Sequence, residues 1–132
     1  MAPHTIAVAG KGGVGKTTTC GMIIDYLCGK KRGPVLVVDA DANSNLNEVL
    51  GVEVETSLGQ IREEMAQAEL KGTIPKGMTK ADYAEMKFGD ALIEDDDFDM
   101  LVMGRTQGKG CYCYVNGVLK TQIDKYVGNY RY

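Results

Sequence analysis

The stretch that decides the fold is Gly10-Lys11-Gly12-Gly13-Val14-Gly15-Lys16-Thr17-Thr18. A short apolar run at residues 5–9 comes before it, and this run predicts a buried parallel strand. Residues 18–27 come after it, and their apolar side chains recur with the spacing of a helix. The sequence therefore predicts a strand, a glycine-rich loop and a helix in direct succession, which is the context of a phosphate-binding loop.

The glycines of this loop explain how it would bind phosphate groups. Without a Cβ, the backbone approaches phosphate oxygens closely and points its N–H groups toward them. The N-terminus of the following helix adds the positive end of its dipole to the same site. Every position of the Walker A pattern is filled, and the alternative is a glycine-rich turn that only joins a strand to a helix. The residues predicted to bind the nucleotide are Gly10, Gly12, Gly13, Val14, Gly15, Lys16, Thr17 and Thr18.

The polar side chains of the loop have separate expected roles. Lys16 is expected to bridge the β- and γ-phosphates, and the Thr17 hydroxyl is expected to ligate Mg²⁺. Thr18 is expected to hydrogen-bond a phosphate further back. Lys11 directly follows the first glycine, where an ordinary Walker A loop needs no lysine. The alternative for Lys11 is a solvated loop side chain.

With Lys11 in this place, the loop resembles that of the deviant Walker A ATPases, which include the septum- and plasmid-positioning ATPases and the nitrogenase iron protein. The resemblance implies a P-loop NTPase that binds ATP and Mg²⁺ and forms a nucleotide-dependent homodimer. It also implies that Lys11 reaches across the dimer to the partner's phosphates, so that Lys11 is catalytic. Adenine specificity is implied by this resemblance alone.

Two carboxylates follow a second predicted strand. Residues 34–43 contain a continuous apolar run that ends in Asp39 and Asp41, which predicts a strand buried on both faces of a parallel sheet. Ligands of such sheets bind beyond the carboxyl ends of the strands. The resemblance to the first switch of the family implies that Asp41 positions or activates the attacking water and that Asp39 supports the Mg²⁺ shell. The alternative is a pair of turn aspartates that cap a segment at residues 44–50, and it could hold for one of them.

A pair of cysteines follows a third predicted strand at residues 98–104, in the stretch Gly110-Cys111-Tyr112-Cys113. Two thiolates make half of a four-coordinate soft-metal site, and a two-fold dimer axis would supply the other half. The alternatives are an unreactive pair of cysteines or a strained redox disulfide between them.

Together with the deviant loop, the cysteine pair resembles that of the CooC-type ATPases, which mature carbon monoxide dehydrogenase by inserting nickel. The resemblance implies Ni²⁺ or Zn²⁺ held by Cys111 and Cys113 between two protomers. It implies a nickel-iron client enzyme, either carbon monoxide dehydrogenase or acetyl-CoA synthase. The rival interpretations are a positioning ATPase and an iron–sulfur carrier or reductase of the nitrogenase-iron-protein type. A Cys-x-Cys pair fits a mononuclear metal better than a shared cluster.

The rest of the chain predicts the surroundings of these motifs. Ser57 is expected to cap a helix that runs to about residue 70 and ends near Gly72. A second capped segment is expected over residues 79–88, and residues 118–127 have helical spacing. These elements predict an α/β domain with a mostly parallel sheet flanked by helices.

Length and composition limit the function classes. Members of the family are longer than this chain of 132 residues, and no second-switch Asp-x-x-x-Gly segment is present, so residues 1–132 are interpreted as the N-terminal portion of one deviant Walker A domain. The formal net charge of −3 gives no nucleic-acid-binding footprint. Neither a secretory signal nor a membrane-length apolar run is visible. A nucleotide-binding loop favours a reducing cytoplasm, so Cys20 and Cys28 are expected to be packing residues of the first helix.

Overall fold

A computed structural model of the protein describes residues 2–41, 43, 45–105 and 113–132. Over these residues, the elements in chain order are α1 (Lys16–Gly29), β1 (Leu36–Asp39), α2 (Leu46–Leu50), α3 (Leu58–Lys71), α4 (Lys80–Ala91), β2 (Ile93–Glu94), β3 (Asp99–Val102) and α5 (Cys113–Val127). The helix expected after the glycine-rich loop and the strands expected before Asp41 and before Gly104 are all present.

The sheet of the described residues has three strands in the order β1-β3-β2. β1 and β3 are parallel, with Val37 opposite Met100. β2 pairs with β3 in the antiparallel direction, with Ile93 opposite Met100. The sheet is therefore small and mixed: the parallel pair β1–β3 is extended by the short strand β2, because the chain turns back within residues 95–98 to form a short hairpin.

Helices cover both faces of the sheet, as the α/β prediction requires. Neighbouring residues of a strand point to opposite faces, so Leu101 belongs to one core and Met100 and Val102 to the other. The buried residues of the first core, between β3 and helices α3 and α4, are Leu58, Ile61, Met65, Ala84, Phe88, Ala91 and Leu101. The buried residues of the second, beside α1 and α2, are Ile24, Val35, Val37, Leu46, Met100 and Val102.

The predicted helix caps are confirmed. Ser57 accepts a hydrogen bond from Gln60 N–H at 3.3 Å, and the Gln60 side chain accepts one from Ser57 N–H at 2.8 Å. This reciprocal pair satisfies two N–H groups that the first turn of α3 leaves without helical partners. Gly72 ends α3 in the left-handed conformation, with φ of 64°. Thr79 and Asp82 form the equivalent pair at the start of α4.

The prediction of a buried parallel strand at residues 5–9 is wrong for this structure. The segment forms no strand and is largely exposed, and Ile6 retains 52% of its accessible surface. The prediction that the run at residues 34–43 is buried on both faces is also wrong in part, since Val38 of β1 is 45% exposed.

The hydrogen bonds of β1 give the physical reason. On the edge away from β3, Leu36 N–H donates to the carbonyl of Tyr132 at 2.9 Å, and Arg131 N–H donates to the carbonyl of Pro34 at 2.9 Å. The last residues of the chain therefore take the place where a neighbouring strand would begin. His4 N–H donates to the carbonyl of Arg131, so the N-terminal segment lies outside this tail. In the part of the chain that the structure describes, the tail occupies the edge of β1 that residues 5–9 would need in order to pair as a neighbouring strand.

Candidate functional site

The glycine-rich loop has the backbone that its glycines permit. Gly13 and Gly15 have φ of 82° and 87°, in the left-handed region that residues with a Cβ rarely adopt. At Gly10, a Cβ would lie 2.9 Å from the Cγ2 of Val14, so the loop closes on itself at this point. The loop ends at Gly15, and α1 begins with Lys16.

Lys16 connects the loop with the segment that follows β1. Its Nζ donates to the carbonyl of Gly10 at 3.1 Å and lies 3.9 Å from Oδ2 of Asp41. Both side chains of this ion pair are partly exposed, so the pair by itself contributes little to stability. Its position matters more, because the ammonium lies between the glycine-rich loop and a carboxylate at the carboxyl end of β1.

A cavity of about 480 Å³ lies at this place. It brings together five of the predicted site residues from two stretches of the chain: Gly10, Lys16, Thr17, Asp39 and Asp41. The sequence had assigned no site role to Asn45, which also lines the cavity. Asn45 could have been predicted from its position in the short connection between Asp41 and α2. The remaining lining residues are Val8, Ala9, Cys20, Val38, Ala40 and Leu46.

The two aspartates have different environments. Asp39 is buried, and its Oδ1 and Oδ2 accept hydrogen bonds from Asp41 N–H at 3.0 Å and from Leu46 N–H at 3.3 Å. Asp39 thus caps the start of α2. This agrees with the capping alternative, except that the carboxylate is buried rather than solvated. Asp41 is more exposed, and its Oδ1 accepts from Asn43 N–H at 2.9 Å while Oδ2 faces Lys16.

The oxygens of this cavity fit a magnesium ion that arrives with phosphate groups. Mg²⁺ prefers carboxylate, hydroxyl, phosphate and water oxygens, and it is usually bound through one or two carboxylates plus the phosphates of the substrate. The Thr17 hydroxyl and the carboxylates of Asp39 and Asp41 line the same cavity. Because both Asp39 oxygens already accept backbone hydrogen bonds, Asp39 fits best as a partner of a metal-bound water.

The other predicted nucleotide-site residues lie outside the lining of this cavity. Lys11, Gly12, Gly13, Val14, Gly15 and Thr18 are exposed and do not line the cavity. The role of Lys11 toward a partner protomer remains a prediction, as do the contacts of the loop with phosphate.

The predicted soft-metal site falls largely outside the described residues. Cys111 lies outside them, and Cys113 is the first residue of α5. Within residues 2–41, 43, 45–105 and 113–132, no group of three or more His, Cys, Asp or Glu side chains is arranged to hold a metal ion. The assignment of Cys111 and Cys113 to Ni²⁺ or Zn²⁺ therefore remains a prediction.

Cys20 and Cys28 pack where the sequence predicted. Both are partly buried on α1 against the second core. The Sγ of Cys28 donates to the carbonyl of Asp97 at 3.4 Å. Burial raises the pKa of the Cys28 thiol, and the nearby carboxylates of Asp97 and Asp25 act in the same direction. Since the thiolate is the reactive form, these surroundings favour a packing role for Cys28.

Comparison with known proteins identifies the type of domain. The model of the CobQ/CobB/MinD/ParA nucleotide binding domain matches residues 5–126. An uncharacterized ATP-binding protein of Methanocaldococcus jannaschii is 50% identical over 127 residues, which cover 96% of this chain and 50% of that protein. The carbon monoxide dehydrogenase accessory protein CooC of Rhodospirillum rubrum is 31% identical over 129 residues, covering 89% of this chain and 48% of that protein.

A second uncharacterized ATP-binding protein of M. jannaschii is 26% identical over 129 residues, covering 87% of this chain and 49% of that protein. The chain thus spans about half the length of the curated relatives it matches. No solved structure matches it. In the part of the chain that the structure describes, every helix is too short or too polar to cross a membrane.

Proposed function

The chain belongs to the CobQ/CobB/MinD/ParA family of nucleotide-binding domains, and we propose that it binds Mg-ATP in the cavity behind the glycine-rich loop and takes part in its hydrolysis. The observation that carries this proposal is the meeting of Lys16 and Thr17 with Asp39 and Asp41 around one cavity. An ammonium, a hydroxyl and two carboxylates there supply charge for phosphates and oxygens for Mg²⁺.

Each side chain has a role that follows from its contacts. The Lys16 ammonium is held by a neutral carbonyl and a distant carboxylate, and a phosphate oxygen would be a stronger partner than either. Thr17 stands one residue further on, at the start of α1, and supplies a hydroxyl ligand for Mg²⁺. Asp41 keeps one carboxylate oxygen toward the cavity and would orient the attacking water.

We further propose that this ATPase cycle serves metal transfer. Two features support the proposal: the 31% identity with a carbon monoxide dehydrogenase accessory protein and the Cys111-Tyr112-Cys113 pattern. ATP would close a homodimer through Lys11, and hydrolysis would reopen it. Nickel or zinc held by Cys111 and Cys113 would be cargo, destined for a nickel-iron client of the carbon monoxide dehydrogenase or acetyl-CoA synthase type. Transfer requires that the two dimer states bind the metal with different affinity.

Titration calorimetry with Mg-ATP tests the nucleotide proposal. Lys16→Ala is expected to weaken binding roughly 10- to 100-fold, because a charge-assisted hydrogen bond contributes about 1.5–3 kcal/mol. Lys11→Ala is the matched control, since it removes the same charge from the same loop and should leave binding nearly unchanged. It should, however, abolish dimer-dependent hydrolysis. A Lys16 variant that binds as tightly as the native chain would refute the phosphate role, and a native chain that binds no Mg-ATP would refute the proposal.

Native mass spectrometry with Mg-ATP and limiting nickel or zinc tests the metal proposal. One metal per nucleotide-bound dimer is expected in the native chain and none in the Cys111→Ser/Cys113→Ser variant. Cys28→Ser is the matched control, because it removes a thiol from the packed first helix at a position that does not line the nucleotide cavity. Dimers without metal would instead favour a positioning ATPase. A brown chromophore in anaerobically purified protein would favour an iron–sulfur carrier.

A further inference from the structure

Arg105 stands where β3 leaves the sheet, and close packing holds its backbone in place. Gly59 N–H of α3 donates to the carbonyl of Met103 at 2.8 Å. A Cβ on Gly59 would lie 2.7 Å from the carbonyl oxygen of Arg105, and one on Gly104 would lie 2.7 Å from Oγ of Ser57. The exit of β3 is therefore clamped against the capped start of α3, which gives the Arg105 side chain a rigid base.

From this base, Arg105 contacts the loop that carries Asp41. Its Nη2 donates a hydrogen bond to Oδ1 of Asn43. The N–H of Asn43 donates in turn to Oδ1 of Asp41, whose other oxygen lies 3.9 Å from the Nζ of Lys16. A continuous series of contacts thus runs from the end of β3 to the lysine of the glycine-rich loop.

Among the described residues of this loop, hydrogen bonds to Asp39 anchor the two ends. Asp39 binds the N–H groups of Asp41 and Leu46, which leaves the exposed turn at Asn43 between them. Arg105 holds this turn from a different element. It does not line the cavity itself.

We propose that Arg105 is a positioning residue: through Asn43 it holds the turn after Asp41 and so keeps the Asp41 carboxylate directed at the phosphate site. The inference rests on the proposed function in one respect, since Asp41 is taken as the residue that orients the attacking water. Misplacing such a group by about 1 Å can lower a reaction rate by about 100-fold, although the contact itself is exposed and contributes little to stability.

Steady-state hydrolysis of Mg-ATP provides the first test. Arg105→Ala is expected to lower kcat roughly 10-fold or more and to leave KM within about 3-fold, because the nucleotide keeps its own contacts. Asn43→Ala should lower kcat to the same extent. The kcat of the double variant should be no lower than that of either single variant, since all three variants remove the same hydrogen bond. Arg105→Lys should recover part of the rate, as a single donor can reach Asn43. Arg32→Ala, which removes an exposed guanidinium elsewhere, is the control.

Nitrogen-15 relaxation of the nucleotide-free chain provides the second test and does not depend on turnover. The order parameter of the Asn43 amide is expected to fall from about 0.85 toward 0.6 or below in Arg105→Ala and to stay unchanged in Arg32→Ala. An unchanged order parameter, or additive losses of kcat in the double variant, would overturn the inference and leave the proposed ATPase standing. A mobile turn with unchanged kcat would overturn it as well. A native chain that binds no Mg-ATP would refute the proposed function, and the relaxation data would then decide on the positioning contact alone.

Discussion

Two regions of the molecule differ sharply in how they are packed. In the region formed by α3, α4, α5 and the adjoining face of β3, called here the packed half, Leu58, Phe88 and Leu101 are fully buried. In the region formed by residues 2–15 and α1, called here the loop half, Ile6, Val14 and several residues of α1 are exposed. Most residues predicted to touch the nucleotide belong to the loop half. Side chains that bind ligands have to remain accessible, so packing must hold the fold elsewhere.

The difference also shows what each half requires from the rest of the chain. A helix satisfies its backbone hydrogen bonds internally and its ends by capping side chains, so α3 and α4 need only a surface to pack against. A strand satisfies its backbone only through neighbours. The glycine-rich loop follows a segment that has apolar residues but no paired edge, and its shape is set by left-handed glycines rather than by burial.

Substituting one large apolar residue in each half should give the largest difference in the free energy of unfolding between the two halves. Phe88→Ala removes a fully buried ring that packs against Tyr126 with 4.8 Å between centroids, so the free energy of unfolding should fall by about 3–5 kcal/mol. Ile6→Ala removes a side chain that is 52% exposed, and the change should stay within about 0.5 kcal/mol. Urea denaturation of both variants measures the difference.

If Phe88→Ala leaves too little folded protein to measure, Phe88→Leu keeps much of the volume and should still be destabilised by about 1 kcal/mol. Equal losses for the substitutions at Phe88 and Ile6 would show that the N-terminal segment is packed in solution. In that case the contrast between the two halves would not hold.

A pair of glycine substitutions sharpens the comparison within the packed half. Gly59→Ala would place a Cβ 2.7 Å from the carbonyl oxygen of Arg105, and the resulting backbone shift should cost about 1–3 kcal/mol. Gly89 lies in the exposed part of α4 with no atom near its missing Cβ, so Gly89→Ala should stabilise the chain by about 0.5–1 kcal/mol. Opposite shifts of the urea midpoint would confirm that the exit of β3 is clamped, and parallel shifts would contradict it.

Alkaline pH should act where the loop half meets the end of the chain. Burial raises the pKa of Tyr130 well above its ordinary value of 10.0, and its hydrogen bond to the carboxylate of Asp99 acts in the same direction. Folding therefore favours the protonated phenol. The stabilisation of the folded chain by this phenol is fully present below pH 10 and is lost as the pH rises above it. The reason is that the unfolded chain then releases the phenol proton more readily than the folded chain does.

Tyr130→Phe removes this titration, so its stability should depend less steeply on pH above 10.0 than that of the native chain. Urea midpoints measured from pH 8 to 11 for both proteins provide the comparison, and the difference should be smaller than for the core substitutions. Identical slopes would show that Tyr130 is solvated in solution. The cavity of about 420 Å³ that it lines with residues 3–8 would then be open to water.

Much of the fold was predictable because its signals are local. The Ser57 and Thr79 caps, the left-handed Gly72 and the apolar runs before Asp41 and Gly104 each act within a few residues, and the structure confirms them. The short antiparallel strand β2 was not predicted, since two residues give too little pattern to recognise.

The candidate site likewise contains residues that the sequence predicts and contacts that it does not. The Walker A pattern predicts Lys16 and Thr17 as site residues, and the two carboxylates after the second strand predict Asp39 and Asp41; the structure brings all four to one cavity. For Asp39 the sequence leaves a capping role for the segment at residues 44–50 as an alternative, and in the structure its Oδ2 accepts from the N–H of Leu46, seven residues away. The contact of Arg105 with Asn43 had no sequence signal, because it joins residues separated by 62 positions.

The sequence by itself thus determined the glycine-rich loop and the capped starts of α3 and α4, and it predicts which residues bind phosphate and Mg²⁺, because side-chain chemistry and short-range hydrogen bonds specify them. Only the tertiary structure decided that residues 5–9 form no strand and that Arg105 holds the turn at Asn43. The physical reason is that strand pairing and contacts between distant segments depend on which backbone edges and side chains meet in the folded chain. No local pattern contains that information.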